Sequence, residues 1–85
     1  MKNASSPNDI IDFLKLVISR ETKDPVDQID EEANFFQLGF DSVNSLHLIK
    51  EIEDHFQVSI DQLYFWDYPT IRSFSEQLFA EYNGK

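Results

Sequence analysis

The stretch GFDSVNSLHLIKEIEDHF, residues 39–56, decides the fold. Gly39 permits a tight backbone turn, and Asp41 or Ser42 can cap a helix starting there. Leu46, Ile49, Ile52 and Phe56 then recur at the three-to-four-residue spacing of one helix face, with Leu48 at its flank. A helix over roughly 42–56 is predicted, with Ser42 in its first turn.

Helical periodicity continues on both sides. Upstream, Ser6 can cap, Pro7 suits the first helical position, and Asp9 favours the positive end of the dipole. Ile10, Ile11, Leu14, Val17 and Ile18 complete a helix predicted over 7–20. Downstream, Val58, Ile60, Leu63, Phe65 and Trp66 suit a short helical turn. Tyr68-Pro69-Thr70 stops it, and Thr70 caps a last helix over 71–82 with Ile71, Phe74, Leu78 and Tyr82 on one face. Strand-like alternation is nowhere sustained. The expected fold is all-α, a four-helix bundle of three longer helices and one short one.

A long connection, residues 21–41, joins the first two long helices. Its first part holds six acids (Glu21, Asp24, Asp27, Asp30, Glu31 and Glu32) against the single base Lys23, and Pro25 breaks any helix. Ile29, Phe35, Phe36 and Leu38 are expected to pin it to the core, and a loop so anchored is read as functional. Residues 1–6 read as a flexible N-terminal tail, 7–82 as one domain and 83–85 as a C-terminal tail.

Composition narrows the function. The chain has 85 residues, 41% of them hydrophobic, enough for one compact core with little room for a deep catalytic cleft. It has no Cys, which excludes disulfides, thiolate metal sites and thiol catalysis by the chain itself. No apolar run approaches a membrane span, and the N-terminus lacks a signal-peptide core, so a cytoplasmic protein is expected. Sixteen acids against seven bases leave a net charge of −9. That charge repels nucleic acid and anionic membranes, while basic protein surfaces would be attracted.

Ser42 draws most of the chemical interest. At a helix start its hydroxyl sits where backbone N–H groups favour an anion, including a phosphoester on that oxygen. On spacing alone, the simpler reading is that Ser42 and Asp41 merely cap the helix. A nucleophilic role would need an aligned base. The only histidines are His47 and His55, and His47 is five residues on, about 500° of helical rotation and about 7.5 Å of rise away. Phe40 and Asn44 also break the Gly-x-Ser-x-Gly pattern. The acids of the long connection lack the spacing and the glycine of a calcium loop, and no metal is expected. Both histidines are read as surface residues.

Three separated elements carry a resemblance. Phe36-Gln37-Leu38-Gly39-Phe40-Asp41-Ser42-Val43, then Glu53-Asp54-His55-Phe56, then Asp67-Tyr68-Pro69-Thr70-Ile71 together resemble the acyl carrier proteins, most of all those of polyketide synthases. The likeness runs from about Ile10 to Tyr82. It implies that Ser42, with Gly39 and Asp41 beside it, is the attachment point of 4′-phosphopantetheine, delivered from coenzyme A by a phosphopantetheinyl transferase. The arm's terminal thiol would hold acyl groups as thioesters, which explains thiol chemistry in a chain without Cys.

The resemblance further implies a docking patch on the exposed side of the second long helix, at Val43, Asn44, His47, Lys50, Glu51 and Asp54. Acyltransferases, ketosynthases or tailoring enzymes would dock there on a monomeric carrier. A plain solvated face, with a Lys50–Asp54 pair, is the alternative for those residues. Two departures stand out. Trp66 replaces the commoner Phe, either filling the core or shaping the surface beside the arm. His47 and Lys50 make the helix less acidic than in fatty-acid carriers.

Peptidyl carriers typically read Gly-Gly-His/Asp-Ser where this chain has Gly39-Phe40-Asp41-Ser42, which favours an acyl over an aminoacyl cargo. An acidic helical interaction module that is never modified is the rival of a different class. Met1 and the short tails suggest a free-standing carrier.

Overall fold

The computed structural model describes residues 2–40 and 42–83. Among them, four helices form in chain order: α1 (Pro7–Thr22), α2 (Ser42–Phe56), α3 (Tyr64–Asp67) and α4 (Ile71–Asn83). A 3-10 turn, Val26–Gln28, interrupts the long connection. The described residues contain no strand, only an isolated antiparallel bridge between Asn34 and Thr70.

Local chemistry sets the ends of α1. Ser6 is extended and Pro7 occupies the first turn. The Asp9 carboxylate accepts the Ser5 N–H at 2.7 Å, the Ser5 hydroxyl at 3.0 Å and the Ser6 N–H at 3.2 Å. These bonds hold its pKa below the usual aspartate value, the Ser5 N–H contributing most. The helix runs two residues past the predicted end. Lys23 then turns left-handed at φ 69° and returns its N–H to the Ser19 carbonyl. Pro25 forbids resumption soon after.

The expected tail at residues 1–6 makes defined contacts where it is described. Lys2 N–H donates to the Phe56 carbonyl at 3.0 Å and the Asn3 amide to the His55 carbonyl at 2.7 Å. Both carbonyls lie in the last turn of α2, which otherwise lacks intrahelical donors.

The bounds of α2 match the expectation, but two of its leucines exchange roles. Leu48 is 1% exposed and Leu46 is 49% exposed. With Ser45, Leu48, Ile49, Ile52 and Phe56 buried, the stripe centres near Ser45, Ile52 and Phe56. Leu48 lies about 60° from that centre and Leu46 about 100°. The small buried Ser45, rather than a larger side chain, occupies the middle of the inward face.

A similar correction applies before α4. Val58, Ile60 and Phe65 are buried, whereas Leu63 and Trp66 are exposed. One helical turn buries one side, and residues 63 and 66 share the side opposite Phe65. Trp66 therefore does not fill the core.

Thr70 caps α4 as expected, its Oγ1 accepting the Ser73 N–H at 3.1 Å. Ile71, Phe74 and Leu78 are buried and Tyr82 half-buried. The Tyr82 hydroxyl accepts the Ser59 N–H at 3.1 Å and donates to the Ser59 carbonyl, tying the end of α4 to the segment after α2.

The core joins the inward faces of these helices. Ile10, Leu14 and Ile18 of α1, Ile52 and Phe56 of α2 and Ile71, Phe74 and Leu78 of α4 belong to one cluster. Phe35 from the long connection is inserted edge-on against Phe65 at 4.6 Å and Phe74 at 5.6 Å between ring centroids.

Two outcomes are expected from this packing. Leu48→Ala should lower the unfolding free energy by about 2–5 kcal/mol in urea titration, and Leu46→Ala by well under 1 kcal/mol. Equal losses would contradict the reassigned stripe. A depressed folded-state pKa gives stability that is present above the unfolded-chain value and is lost as pH falls through the folded value. Asp9→Asn should therefore be less stable than the parent at neutral pH, with the gap closing as urea titrations move below the usual aspartate range.

Candidate functional site

The connection between α1 and α2 is held at defined points before it delivers the chain to Ser42. Glu31 receives Lys15 of α1 at 3.1 Å and also pairs with Arg72 of α4. The Arg72 Nε reaches Glu32 at 2.6 Å, and the Arg72 backbone N–H donates to the Glu31 carbonyl at 3.0 Å. Part of the acidic run is thus a counterion set for α4 and α1. The sequence does not single out Arg72. It lies on the outer face of α4, and nothing in helical periodicity names its partners.

Past this clamp the backbone is bonded to α4's entry and to itself. Phe35 N–H donates to the Pro69 carbonyl at 2.9 Å. Asn34 and Gln37 exchange side-chain to backbone bonds at 2.8 and 3.1 Å. Gly39 N–H donates to the Phe36 carbonyl at 3.1 Å, and Phe40 N–H to the Phe35 carbonyl at 2.9 Å. Gly39 adopts φ 94°, which side chains with a Cβ rarely tolerate.

Of the four expected anchors, Ile29 and Phe35 are buried, and Leu38 packs at the edge of the core. Phe36 is exposed. The turn points it away and buries Phe40 instead, which sequence reasoning misses because Phe40 stands alone outside any periodic stripe.

Ser42 opens α2, a helix of 15 residues. Asp41 lies outside the described residues. Val43, Asn44, His47, Lys50 and Asp54 are exposed along α2. Glu51 is half-buried and accepts Arg20 of α1 at 2.8 Å. Lys50 and Asp54 pair at 3.3 Å, as their spacing suggests. His47 borders a cleft of about 30 Å³ with Val17, Glu21, Phe40, Asn44 and Leu48. That is room for about one water, too small for an acyl chain. His55 stacks on Phe13 with centroids 4.1 Å apart. Both histidines are on the surface, as expected, and α2's continuity keeps His47 rotated away from Ser42.

The model of the family described as "phosphopantetheine attachment site" matches residues 12–78. The chain belongs to that family. It is 29% identical over 86 residues to polyketide synthase PksN of Bacillus subtilis, covering 96% of this chain and 2% of the synthase. It is 33% identical over 52 residues to N-(5-amino-5-carboxypentanoyl)-L-cysteinyl-D-valine synthase of Amycolatopsis lactamdurans, covering 61% of this chain and 1% of that enzyme. The fold matches a free-standing peptidyl carrier protein of Acinetobacter baumannii with a TM-score of 0.83 at 24% identity, covering 93% and 99% of the two chains.

Membership makes this chain a carrier domain with a 4′-phosphopantetheine prosthetic group, of a kind that is typically non-catalytic and works with catalytic enzymes. The group's terminal thiol supplies thioester chemistry. The residues at the start of α2 fit a phosphodiester. No acid occupies the helix's first turn, Val43 and Asn44 face solvent, and the N-terminal end of a helix favours an anion. Among the described residues no helix is long and apolar enough to cross a membrane.

Gly39→Ala tests the turn that feeds α2. Its added Cβ would meet nothing within 4 Å, so the cost is confined to the backbone at φ 94°. A loss of about 1–2 kcal/mol in urea titration is expected. An unchanged midpoint would mean that the turn does not demand glycine.

Proposed function

We propose that Ser42 is the residue esterified by 4′-phosphopantetheine, and that the arm carries acyl or polyketide intermediates to partner enzymes. In the transfer from coenzyme A, the Ser42 hydroxyl oxygen bonds to phosphorus, the pyrophosphate bond breaks and adenosine 3′,5′-bisphosphate leaves. A phosphopantetheinyl transferase catalyses this step. One observation carries the reading: Ser42 is the first residue of a 15-residue helix, inside the span matched by the attachment-site family. Gly39 turns the chain into that position, and Asp41 immediately precedes it.

This chain contributes no chemistry of its own to the cargo. Its role is to hold the arm and to be recognised. Val43, Asn44, His47, Lys50, Glu51 and Asp54 form the docking face for acyltransferase, ketosynthase or tailoring enzymes. Arg20 orients Glu51 within it, and Lys50 partly offsets Asp54. A net charge of −9 speeds encounter with basic partner surfaces, an effect that fades with added salt.

Two observations bear on the cargo. The Gly39-Phe40-Asp41-Ser42 motif and the match to a polyketide synthase support an acyl chain. Similarity to the cysteinyl-valine synthase keeps an aminoacyl cargo as the second reading. Charging the holo chain from acyl-coenzyme A or with amino acids by dedicated ligases separates the two.

Incubation with coenzyme A, magnesium and a broad-specificity phosphopantetheinyl transferase should raise the intact mass by one phosphopantetheine. Ser42→Ala should show no gain while remaining folded, because losing a helix cap costs only about 1 kcal/mol. No gain on the folded parent chain would defeat the proposal, and a gain on Ser42→Ala would move the site elsewhere.

A further inference from the structure

Two large aromatic side chains face solvent together on this small domain. Trp66 of α3 is 71% exposed and Phe36 of the long connection is 50% exposed. Their ring centroids are 5.8 Å apart with planes tilted by 49°, so they form a contiguous apolar surface. Leu63, at the N-terminal end of α3 and one turn before Trp66, is also exposed. Keeping such a surface in water is unfavourable and points to an occupant.

The turn after Phe36 limits how far this surface lies from Ser42. Gly39 N–H is bonded to the Phe36 carbonyl at 3.1 Å. Only three residue steps separate Gly39 from Ser42, at most about 11 Å of extended chain between their α-carbons. Phe36 is further fixed by its neighbour Phe35, locked between Phe65 and Phe74. Phe65 in turn precedes Trp66, so both exposed rings hang from one rigid aromatic cluster.

We infer that Phe36 and Trp66 form a platform on which the phosphopantetheine arm rests between encounters with enzymes. This rests on the attachment at Ser42 proposed above. Beyond its phosphate the arm is uncharged, so Asp61 and Asp67, close in sequence to Leu63 and Trp66, do not repel it. It offers a gem-dimethyl group and two amide planes, which pack on aromatic faces. Tethering supplies a millimolar-range effective concentration, so even a weak stacking contact is populated. A free ligand or partner has no such advantage. The cleft beside His47, with room for about one water, offers the arm no comparable shelter. Resting there keeps the thiol end close to the surface while leaving it free to lift away.

Trp66 is the chain's single tryptophan and reports directly on the contact. The full chain is compared before and after conversion by the transferase, with intact mass establishing that the arm is on. Acrylamide quenching of Trp66 should fall about twofold on conversion, the tethered arm shielding the ring for much of the time. Phe36→Ala keeps the reporter and should lose most of that protection, with circular dichroism establishing that it is folded. Nuclear Overhauser contacts between the gem-dimethyl protons and the indole ring should be visible in the parent.

Full mass gain with unchanged quenching and no such contacts overturns the platform alone and leaves Ser42 attachment standing. Equal protection in Phe36→Ala overturns the two-ring arrangement. Protection that grows with protein concentration overturns it in favour of a second copy. Absence of any mass gain overturns both the platform and the attachment on which it rests.

Discussion

Phe35 is the residue on which the rest of the structure hangs. It comes from a connection without regular structure, yet its ring is fully enclosed against Phe65 of α3 and Phe74 of α4. Burying such a ring contributes roughly 1.5–3 kcal/mol, and each well-placed aromatic pair adds about 0.5–1.5 kcal/mol. For a domain of 85 residues those are large fractions of the total. The same residue donates its N–H to Pro69 and accepts the N–H of Phe40. One residue thereby ties together the short helix and α4 through its ring, and the entry to α4 and the turn leading to Ser42 through its backbone.

Electrostatics reinforce that anchor rather than replace it. Glu31 and Glu32 meet Arg72 from α4, and Glu31 also meets Lys15 from α1. Exposed pairs contribute little singly, but these converge on one short segment and hold its register between two helices. The remaining acids leave the surface strongly negative. The exposed side of α2 is milder, because Lys50 pairs with Asp54 and Glu51 is already engaged by Arg20.

A carrier must present its attachment point firmly and its cargo loosely. On the attachment proposed at Ser42, that point stands at the start of α2, after a turn with glycine at φ 94°. The nearby cleft beside His47, of about 30 Å³, is too small to hold a cargo. The aromatic pair formed by Phe36 and Trp66 is an apolar surface supported by the same cluster that holds Phe35.

Much of this was legible from the amino-acid order. Caps and spacing located the three long helices within two residues, because the helix period and the stop signals at Pro25 and Pro69 are local properties, while the short turn read from Val58 to Trp66 is helical only over Tyr64–Asp67. The family likewise followed from contiguous motifs around Ser42 and Thr70. Which side chains turn inward did not. Leu46 and Leu48 lie on opposite shoulders of the same helix face, and only packing against α1 and the Phe40 turn could choose between them. Phe36, Phe40 and Trp66 lie outside any long periodic stripe, so their burial depends on tertiary geometry. The partners of Arg72 were similarly invisible, since they come from a segment some forty residues away. Local chemistry determined the elements and the attachment motif, while long-range packing decided what surface surrounds them.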